Sequence, residues 1–226
     1  MDFVYQASVW IVPVILAITL HEAAHAWTAQ KLGDDTAQRL GRVTFNPIAH
    51  IDRFGTIIVP GLLLLMNAGF LFGWAKPVPV NFRRLHNPRR DMVLVAAAGP
   101  AINIAIAIFS AWLLRWYGLL PEAAIDWARN TLYASVVINV ILAVFNMLPL
   151  PPLDGGRIAV GLLPAPLARP LARLERYGFI ILLGLLFLLP WIGAQMGLDL
   201  NLFGRLILEP TLWIISSIMG LMGFGG

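Results

Sequence analysis

Long runs of apolar residues dominate the sequence, and short segments that carry most of its charge separate them. A membrane-spanning helix needs about 20 consecutive apolar residues. Runs of about this length lie at residues 8–30, 54–73, 92–116 and 131–150, with a shorter one at 179–193 and a weaker one at 208–224. Because a helix satisfies its own backbone hydrogen bonds inside a bilayer, the pattern predicts an all-α polytopic membrane protein.

The composition agrees with this class. Hydrophobic residues make up 59% of the 226 residues and charged residues only 12%, about half the roughly 25% found in soluble domains. The net charge of +4 is typical of loops that follow the positive-inside rule. We find no basic amphipathic helix and no RNA-binding motif, so we expect no nucleic-acid partner. The chain has 0 Cys, so any metal must be bound by His, Asp or Glu.

The segments between the apolar runs define the domain organisation. Residues 74–91 alternate Pro with Val, which predicts an extended or hairpin segment. None of the linkers has room for an additional soluble domain. We therefore expect one membrane-embedded domain over residues 1–226, with a core at about 8–163 and C-terminal accessory helices at about 177–226.

The first apolar run contains an H-E-x-x-H motif, His21-Glu22-Ala23-Ala24-His25. On a helix the two histidines are four residues apart and lie on one face, so both imidazoles can bind one metal ion. Glu22 is close enough to bind a water on that metal without being a ligand. A catalytic zinc site needs a third protein ligand. The motif therefore predicts a zinc hydrolase that is completed by a residue elsewhere in the chain.

Asp154 is the candidate for the third ligand. It lies in Pro149-Leu150-Pro151-Pro152-Leu153-Asp154-Gly155-Gly156-Arg157, directly after an apolar run. The prolines end that helix, and the glycines allow the backbone to turn. Such a break can place a carboxylate in a cavity at membrane depth. From the local sequence alone, an ordinary Asp-Gly turn outside the membrane fits equally well.

Three motifs, in order, resemble the site-2 protease family of intramembrane zinc metalloproteases. They are HEAAH at 21–25, AAAGPAIN at 96–103 and NMLPLPPLDGGR at 146–157, and the resemblance covers about residues 15–160. It implies one zinc ion per chain, bound by His21, His25 and Asp154. It also implies that Glu22 is the catalytic base and that Asn146 steadies the scissile carbonyl or its oxyanion. The chain resembles a minimal form, without a PDZ domain or a nucleotide-sensing CBS module.

Other polar and small residues in these motifs favour structural roles. The small residues at 96–101 let membrane helices approach closely, so we expect them to bring the two ligand helices together. Asn139 is expected to link neighbouring helices by hydrogen bonds. Asn103 is expected to bond a neighbouring backbone group, and His50 is expected to be a loop or interface residue, not a fourth ligand.

The function that fits best is zinc-dependent hydrolysis of peptide bonds in or near transmembrane segments of membrane-protein substrates. Such a segment must partly unwind first, and residues 76–82 could pair with it by β-addition. Two alternatives stay open. An ion or proton transporter would use the intramembrane His, Glu and Asp as a relay, and a zinc-binding pseudoprotease would escort membrane partners without cleaving them.

The topology follows from helix parity and charge. For His25 and Asp154 to meet easily at one depth, the first helix and the 131–150 helix should run parallel, which predicts that residues 54–73 form a re-entrant hairpin and not a crossing. A displaced Asp154 loop would instead allow an antiparallel arrangement with 54–73 as a crossing. With that hairpin, 13 of the 16 Lys and Arg lie on one side and 3 on the other. The positive-inside rule then predicts a multi-pass protein of the cell membrane with its active site nearer the cytoplasmic face.

Overall fold

The computed structural model describes residues 3–59, 62, 65, 66, 75–202 and 204–224, and these residues form helices and loops without a β-strand. The α-helices are α1 (Phe3–Lys31), α2 (Thr36–Arg39), α3 (Pro88–Leu113), α4 (Glu122–Asn146), α5 (Asp154–Leu162), α6 (Ala165–Arg173), α7 (Gly178–Leu183), α8 (Leu189–Gln195) and α9 (Glu209–Leu221). Shorter 3₁₀ turns lie at Pro47–His50, Phe82–Arg84, Tyr117–Leu119 and Leu174–Arg176, and π-helical turns lie at Arg53–Ile58, Gly184–Leu188 and Gly204–Leu208. The all-α class predicted from the sequence is confirmed.

Among the described residues, α1, α3 and α4 are long and apolar enough to cross a membrane. The shortest of them, α4, has 25 residues, which corresponds to about 37 Å and exceeds a hydrocarbon thickness of about 30 Å. These helices contain most of the runs predicted at 8–30, 92–116 and 131–150. Both α3 and α4 begin earlier than predicted, because the apolar run marks the part suited to lipid while the helix itself continues into a polar turn.

Helices α1 and α4 run in the same direction. Near the start of both, Asn130 Nδ2 donates a hydrogen bond to the Tyr5 hydroxyl at 2.9 Å. Further along both, Asn103 of α3 donates to the Ala17 carbonyl at 3.2 Å and to Asn139 Oδ1 at 2.8 Å. Residue numbers therefore rise together along the two helices, as the parity argument requires. The expected role of Asn139 in linking helices is confirmed.

Helix α3 packs against both α1 and α4 and runs in the opposite direction. His25 of α1 is hydrogen-bonded to the carbonyl of Val95, whereas His21, one turn earlier, is hydrogen-bonded to Asn103, two turns later in α3. An up–down–up bundle results. It brings the C-terminal half of α1 beside the N-terminal half of α3.

The linker that contains residues 54–73 leaves and re-enters the bundle at the same end. The His86 N–H donates to the Leu32 carbonyl at 2.9 Å, and Arg84 Nη2 lies 2.7 Å from Asp35 Oδ1. A segment whose two ends meet at one end of the bundle cannot cross the membrane once. Residues 60, 61, 63, 64 and 67–74 lie outside the described residues, so the re-entrant hairpin itself stays a prediction.

The last helix, α9, packs away from the candidate ligands. Ile215 and Ile218 of α9 pack with Ala107 and Ala111 of α3 and with Val136 of α4 in one buried cluster. The weaker apolar run at 208–224 thus contains a helix that packs against the bundle. The run at 179–193 lies in α7, the π-helical turn and α8.

Candidate metal centre

Two elements bring three potential metal ligands together. His21 and His25 lie one turn apart on α1, and Asp154 is the first residue of α5. The Nε2 atoms of the two histidines are 3.0 Å apart. Asp154 Oδ2 lies 3.2 Å from His21 Nε2 and 3.3 Å from His25 Nε2. All three side chains are buried. Of the two sequence interpretations of Asp154, the structure favours the one in which it joins the histidines.

The hydrogen bonds on the far side of each imidazole fix its tautomer. Asn103 directs its Nδ2 to the Ala17 carbonyl, which can only accept, so its Oδ1 faces His21 and accepts from Nδ1–H at 2.6 Å. His25 Nδ1 lies 2.7 Å from the Val95 carbonyl and must likewise carry the proton. Both Nε2 atoms therefore present lone pairs to the centre of the site.

This donor set fits a metal cation. Asp154 Oδ2 is buried and has no hydrogen-bond donor among the described residues. It faces two imidazole lone pairs, so three electron-rich atoms converge with no proton between them. Zinc with ligands at about 2.0–2.2 Å in tetrahedral geometry separates neighbouring ligand atoms by about 3.3–3.6 Å. The observed 3.0–3.3 Å is close to this, and three protein ligands leave a fourth position for water.

Close packing of α3 on α1 is needed for this arrangement. A β-carbon at Gly99 would overlap both the His21 and His25 rings, so only glycine allows the imidazoles to lie there. Ala96, one turn earlier, is also buried. The expectation that residues 96–101 bring helices close together agrees with these contacts.

The glycines after Asp154 serve a packing role and not the turn we expected from the sequence. Gly155 and Gly156 lie within the first turn of α5. A β-carbon on Gly155 would overlap the Met147 backbone, and one on Gly156 would overlap the backbone at Pro151. The α5 N-terminus can therefore lie directly on the preceding loop, which turns the Asp154 carboxylate toward α1.

Glu22 lines the same cavity of about 540 Å³ as the three ligand candidates. Its Oε2 accepts a hydrogen bond from the Val78 N–H at 2.7 Å. Val78 belongs to residues 75–81, which form no helix, in agreement with this part of the extended segment predicted at 74–91. The rest of that prediction is wrong, because residues 82–84 form a 3₁₀ turn and residues 88–91 are the first turn of α3. One carboxylate oxygen of Glu22 is thus fixed by the backbone, which limits the orientations of the other.

Asn146 ends α4 and also lines this cavity. Its Nδ2 donates to the Leu142 carbonyl one turn earlier at 3.0 Å, which leaves the second amide hydrogen available to another acceptor. His50 is outside the ligand group: it is buried, and its Nε2 is hydrogen-bonded to the Thr44 carbonyl at 3.0 Å. This agrees with the loop role expected for it.

Two site residues have functions that the sequence interpretation missed. Asn103 was expected to bond a backbone group, which it does, but its Oδ1 also accepts a hydrogen bond from His21 Nδ1–H. Arg157 lies one turn after Asp154 and lines the cavity, where its guanidinium lies 5.6 Å from the Phe82 ring centroid. Arg157 could have been found from the sequence, because residues three apart on a helix lie on the same face and Arg157 follows Asp154 at this spacing. No local signal marked Asn103, because its partner is 82 residues away.

Comparison with known proteins agrees with this site. The model of a protein family described as "Peptidase family M50" matches residues 117–189. The Bacillus subtilis protein named "Putative zinc metalloprotease YwhC" is 43% identical over 214 residues, which cover 89% of this chain and 93% of that protein. The Mycobacterium tuberculosis protein named "Putative zinc metalloprotease Rip2" is 32% identical over 85% of this chain and 70% of its own length.

A more distant match is the "Regulator of sigma E protease" of Haemophilus influenzae, which is 25% identical over 53% of this chain and 28% of that protein. No solved structure matches the chain. The chain belongs to peptidase family M50, the site-2 protease family. It is a zinc metalloprotease with several membrane-spanning helices.

Replacing Asn103 with leucine is expected to weaken zinc binding by about 10- to 100-fold, the usual effect of losing a hydrogen-bond partner of a ligand histidine. Leucine keeps the volume but removes the acceptor for His21 Nδ1–H. Competitive titration against a zinc chelator measures the change.

The matched control for this variant is Ser110→Ala. It removes another buried polar contact of α3, with Ser135 at 2.8 Å, and should leave zinc affinity unchanged. Equal affinity in Asn103→Leu and wild type would show that Asn103 only packs the helices.

Proposed function

We propose that this zinc metalloprotease acts within the membrane and hydrolyses peptide bonds in or near transmembrane segments of membrane-protein substrates. The supporting observation is the position of the candidate ligands between spanning helices. His25 lies six residues and His21 ten residues before the end of α1 at Lys31, which corresponds to about 9 and 15 Å along the helix axis. A substrate segment already in the bilayer reaches this depth without leaving lipid.

In this proposal His21, His25 and Asp154 hold one zinc ion. Bound zinc would lower the pKa of a water toward about 7 and polarise the substrate carbonyl. The Glu22 carboxylate takes a proton from the attacking water and later delivers it to the leaving amine. The free amide hydrogen of Asn146 donates to the carbonyl oxygen as negative charge develops there.

Substrate binding beside residues 75–81 is the second part of the proposal. A transmembrane helix shields its peptide bonds, so the cleaved segment must be unwound. The Lys76 N–H already donates to the His50 carbonyl, the Val78 N–H donates to Glu22, and the two prolines of the segment have no N–H. An added substrate strand would therefore donate its own N–H groups to carbonyl oxygens of this segment.

Cleavage mapping tests the proposal. The purified protein is reconstituted in liposomes with single-span test proteins that differ only in a Gly-Pro pair placed within an otherwise leucine-rich span. We expect cleavage within or next to the span, more with the helix-breaking pair, and reversible loss of cleavage with a zinc chelator. Cleavage confined to soluble tails, or equal cleavage of a water-soluble peptide, would show a zinc protease that acts outside the membrane.

Replacing Asn146 with alanine is expected to lower the cleavage rate by about 10²–10³-fold, as for the loss of one oxyanion donor. Zinc content should not change, because Asn146 is not among the candidate ligand atoms. The measurement is initial rate on the same reconstituted substrate. An unchanged rate would assign Asn146 to packing at the end of α4.

We also propose that the active site lies nearer the cytoplasmic face of the cell membrane. One end of the bundle carries 13 of the 16 Lys and Arg. It is formed by the α1 C-terminus, the linker to α3 and the residues after α4. Arg115, Arg129 and Arg205 belong to the other end. The positive-inside rule supports this orientation.

Cysteine labelling tests the orientation in a chain with 0 native Cys. Asp35 and Arg84 form an ion pair at 2.7 Å, so single cysteines at these two positions should react from the same side. We expect a membrane-impermeant maleimide to label both only after the cytoplasmic face is opened. Labelling of both in intact cells would reverse the orientation, and labelling from opposite sides would exclude a re-entrant 54–73 hairpin.

A further inference from the structure

Helix α6 and the 3₁₀ turn after it (Leu174–Arg176) have two opposite faces of different chemistry. At about 100° per residue, three arginines fall within one sector of about 60° and three leucines within another on nearly the opposite side. The arginine face is Arg169, Arg173 and Arg176, and the leucine face is Leu167, Leu171 and Leu174. The expectation that the chain contains no basic amphipathic helix is therefore wrong, because the prolines at 164, 166 and 170 obscure the helical pattern in the sequence.

The arginine face lacks acidic partners in the described part of the chain. Neither Arg169 nor Arg173 has a carboxylate within ion-pair distance there, and Arg176 lies over the ring of Tyr177 at 5.1 Å. The neighbouring carboxylate, Glu175, points toward Arg157 instead, with a separation of 3.4 Å. The three cations of α6 and the turn after it thus carry a charge that no carboxylate among the described residues balances.

The leucine face lacks apolar cover. Leu167 is 59% exposed and Leu174 is 38% exposed, whereas Ala168, between the two faces, is buried against the protein. The third leucine, Leu171, is half-buried. The helix therefore packs through the side that carries Ala168 and leaves the arginine face and the two ends of the leucine face open. In water the leucines would be unfavourably exposed.

The surroundings of α6 place it level with the membrane boundary. Arg89, in the first turn of the spanning helix α3, donates to the carbonyls of Gly161 and Leu163 just before α6 begins. After α6, Gly178 packs against the Pro151 backbone in the loop that follows α4. Both ends of α6 are thus attached where spanning helices begin or end.

We propose that α6 lies in the membrane interface and binds anionic phospholipids of the leaflet nearest the zinc site. The leucine face inserts among the acyl chains, and the arginine face binds lipid phosphates through charge-assisted hydrogen bonds. Lipid is the occupant because the helix lies beside spanning helices that lipid already surrounds and because its uncompensated charge is positive. This binding site does not depend on the proposed intramembrane cleavage.

Fluorescence quenching in nanodiscs tests both faces, using cysteines introduced into the full-length protein. A probe on Leu167→Cys should be quenched by lipids brominated on the acyl chain, and a probe on Arg169→Cys should instead be quenched by a water-soluble quencher. Quenching of the Leu167 probe by the aqueous quencher alone, or energy transfer between labelled copies at this position, would overturn the interfacial placement.

Lipid preference is measured with a probe at Ala172, an exposed position between the faces, and quencher-bearing phosphatidylglycerol or phosphatidylcholine. Each arginine is expected to favour the anionic lipid by up to about 5-fold. Changing Arg169, Arg173 and Arg176 together to Gln should abolish the preference, so that both lipids quench the probe equally. Equal quenching by both lipids in the wild-type background, or a preference that survives the triple change, would overturn the proposal.

The matched control changes the three cations of the opposite end, Arg115, Arg129 and Arg205, to Gln. It removes the same total charge and should leave the preference at Ala172 intact. Zinc content of every variant reports whether the bundle has folded. Loss of the preference in this control would show that net charge, and not α6, attracts the lipid, and would also overturn the proposal.

Discussion

Glu22→Gln should keep zinc bound and reduce peptide cleavage by about 10²–10⁴-fold or more, the contribution of a positioned acid–base group. Glutamine has the same shape and can still accept the Val78 N–H through its amide oxygen, so residues 75–81 should keep their place. It cannot take a proton from water. The measurement combines metal analysis of the purified variant with the cleavage rate in liposomes.

The matched control for the base is Glu122→Gln. Glu122 is an exposed carboxylate in the first turn of α4, at the other end of the bundle from the candidate ligands. Its loss should change neither zinc content nor rate. Cleavage by Glu22→Gln at nearly the wild-type rate would show that another group, or none, removes the proton.

Asp154→Ala should sharply reduce the zinc that remains bound through purification. Asp154 supplies one of three candidate ligand atoms, and the loss of a direct ligand should exceed the roughly 10- to 100-fold caused by loss of an outer partner. His21→Ala and His25→Ala should give the same result. Elemental analysis and chelator competition measure occupancy and affinity.

Asp126→Ala is the control for this series. Asp126 is an exposed carboxylate of α4 that forms an ion pair with Arg129 at 3.0 Å, outside the site. The Asp126→Ala variant should retain its zinc. Full occupancy in Asp154→Ala would remove Asp154 from the ligand set and leave the two histidines in need of a different third ligand.

The parts of the site that the sequence predicted are those set by local geometry. His21 and His25 share a face of α1 because they are four residues apart on a helix, and Glu22 follows His21 directly. The long apolar runs predict spanning helices because the bilayer leaves the backbone few alternatives. These inferences need no knowledge of how the helices pack.

The partners of these residues depended on packing between distant segments. Asn103 and Val95 fix the imidazole tautomers from α3, 82 and 70 residues away from the histidines they contact. The Val78 N–H reaches Glu22 across 56 residues. Neither an amide side chain in an apolar helix nor a backbone N–H carries a sequence pattern that identifies its partner.

Helix boundaries and the amphipathic α6 were misjudged for related reasons. Apolar runs locate lipid-facing residues, but α3 and α4 extend beyond them because the polar residues next to the bilayer also form helix. The prolines at 164, 166 and 170 disfavour a helix, so no helix was predicted at α6. Pro164 precedes α6 and Pro166 lies in its first turn, where a missing N–H costs nothing, whereas Pro170 lies inside the helix.

The sequence alone determined the class of protein, the order of the spanning segments and two of the three candidate ligands, because each follows from residue type and spacing within one helix. Tertiary structure decided whether Asp154 joins them. Its carboxylate reaches the histidines only because α1 and α4 run parallel, Gly99 lets the imidazoles lie against α3, and Gly155 and Gly156 let α5 lie on the preceding loop. Each of these conditions is a contact between segments far apart in the chain, which spacing along a single helix cannot specify.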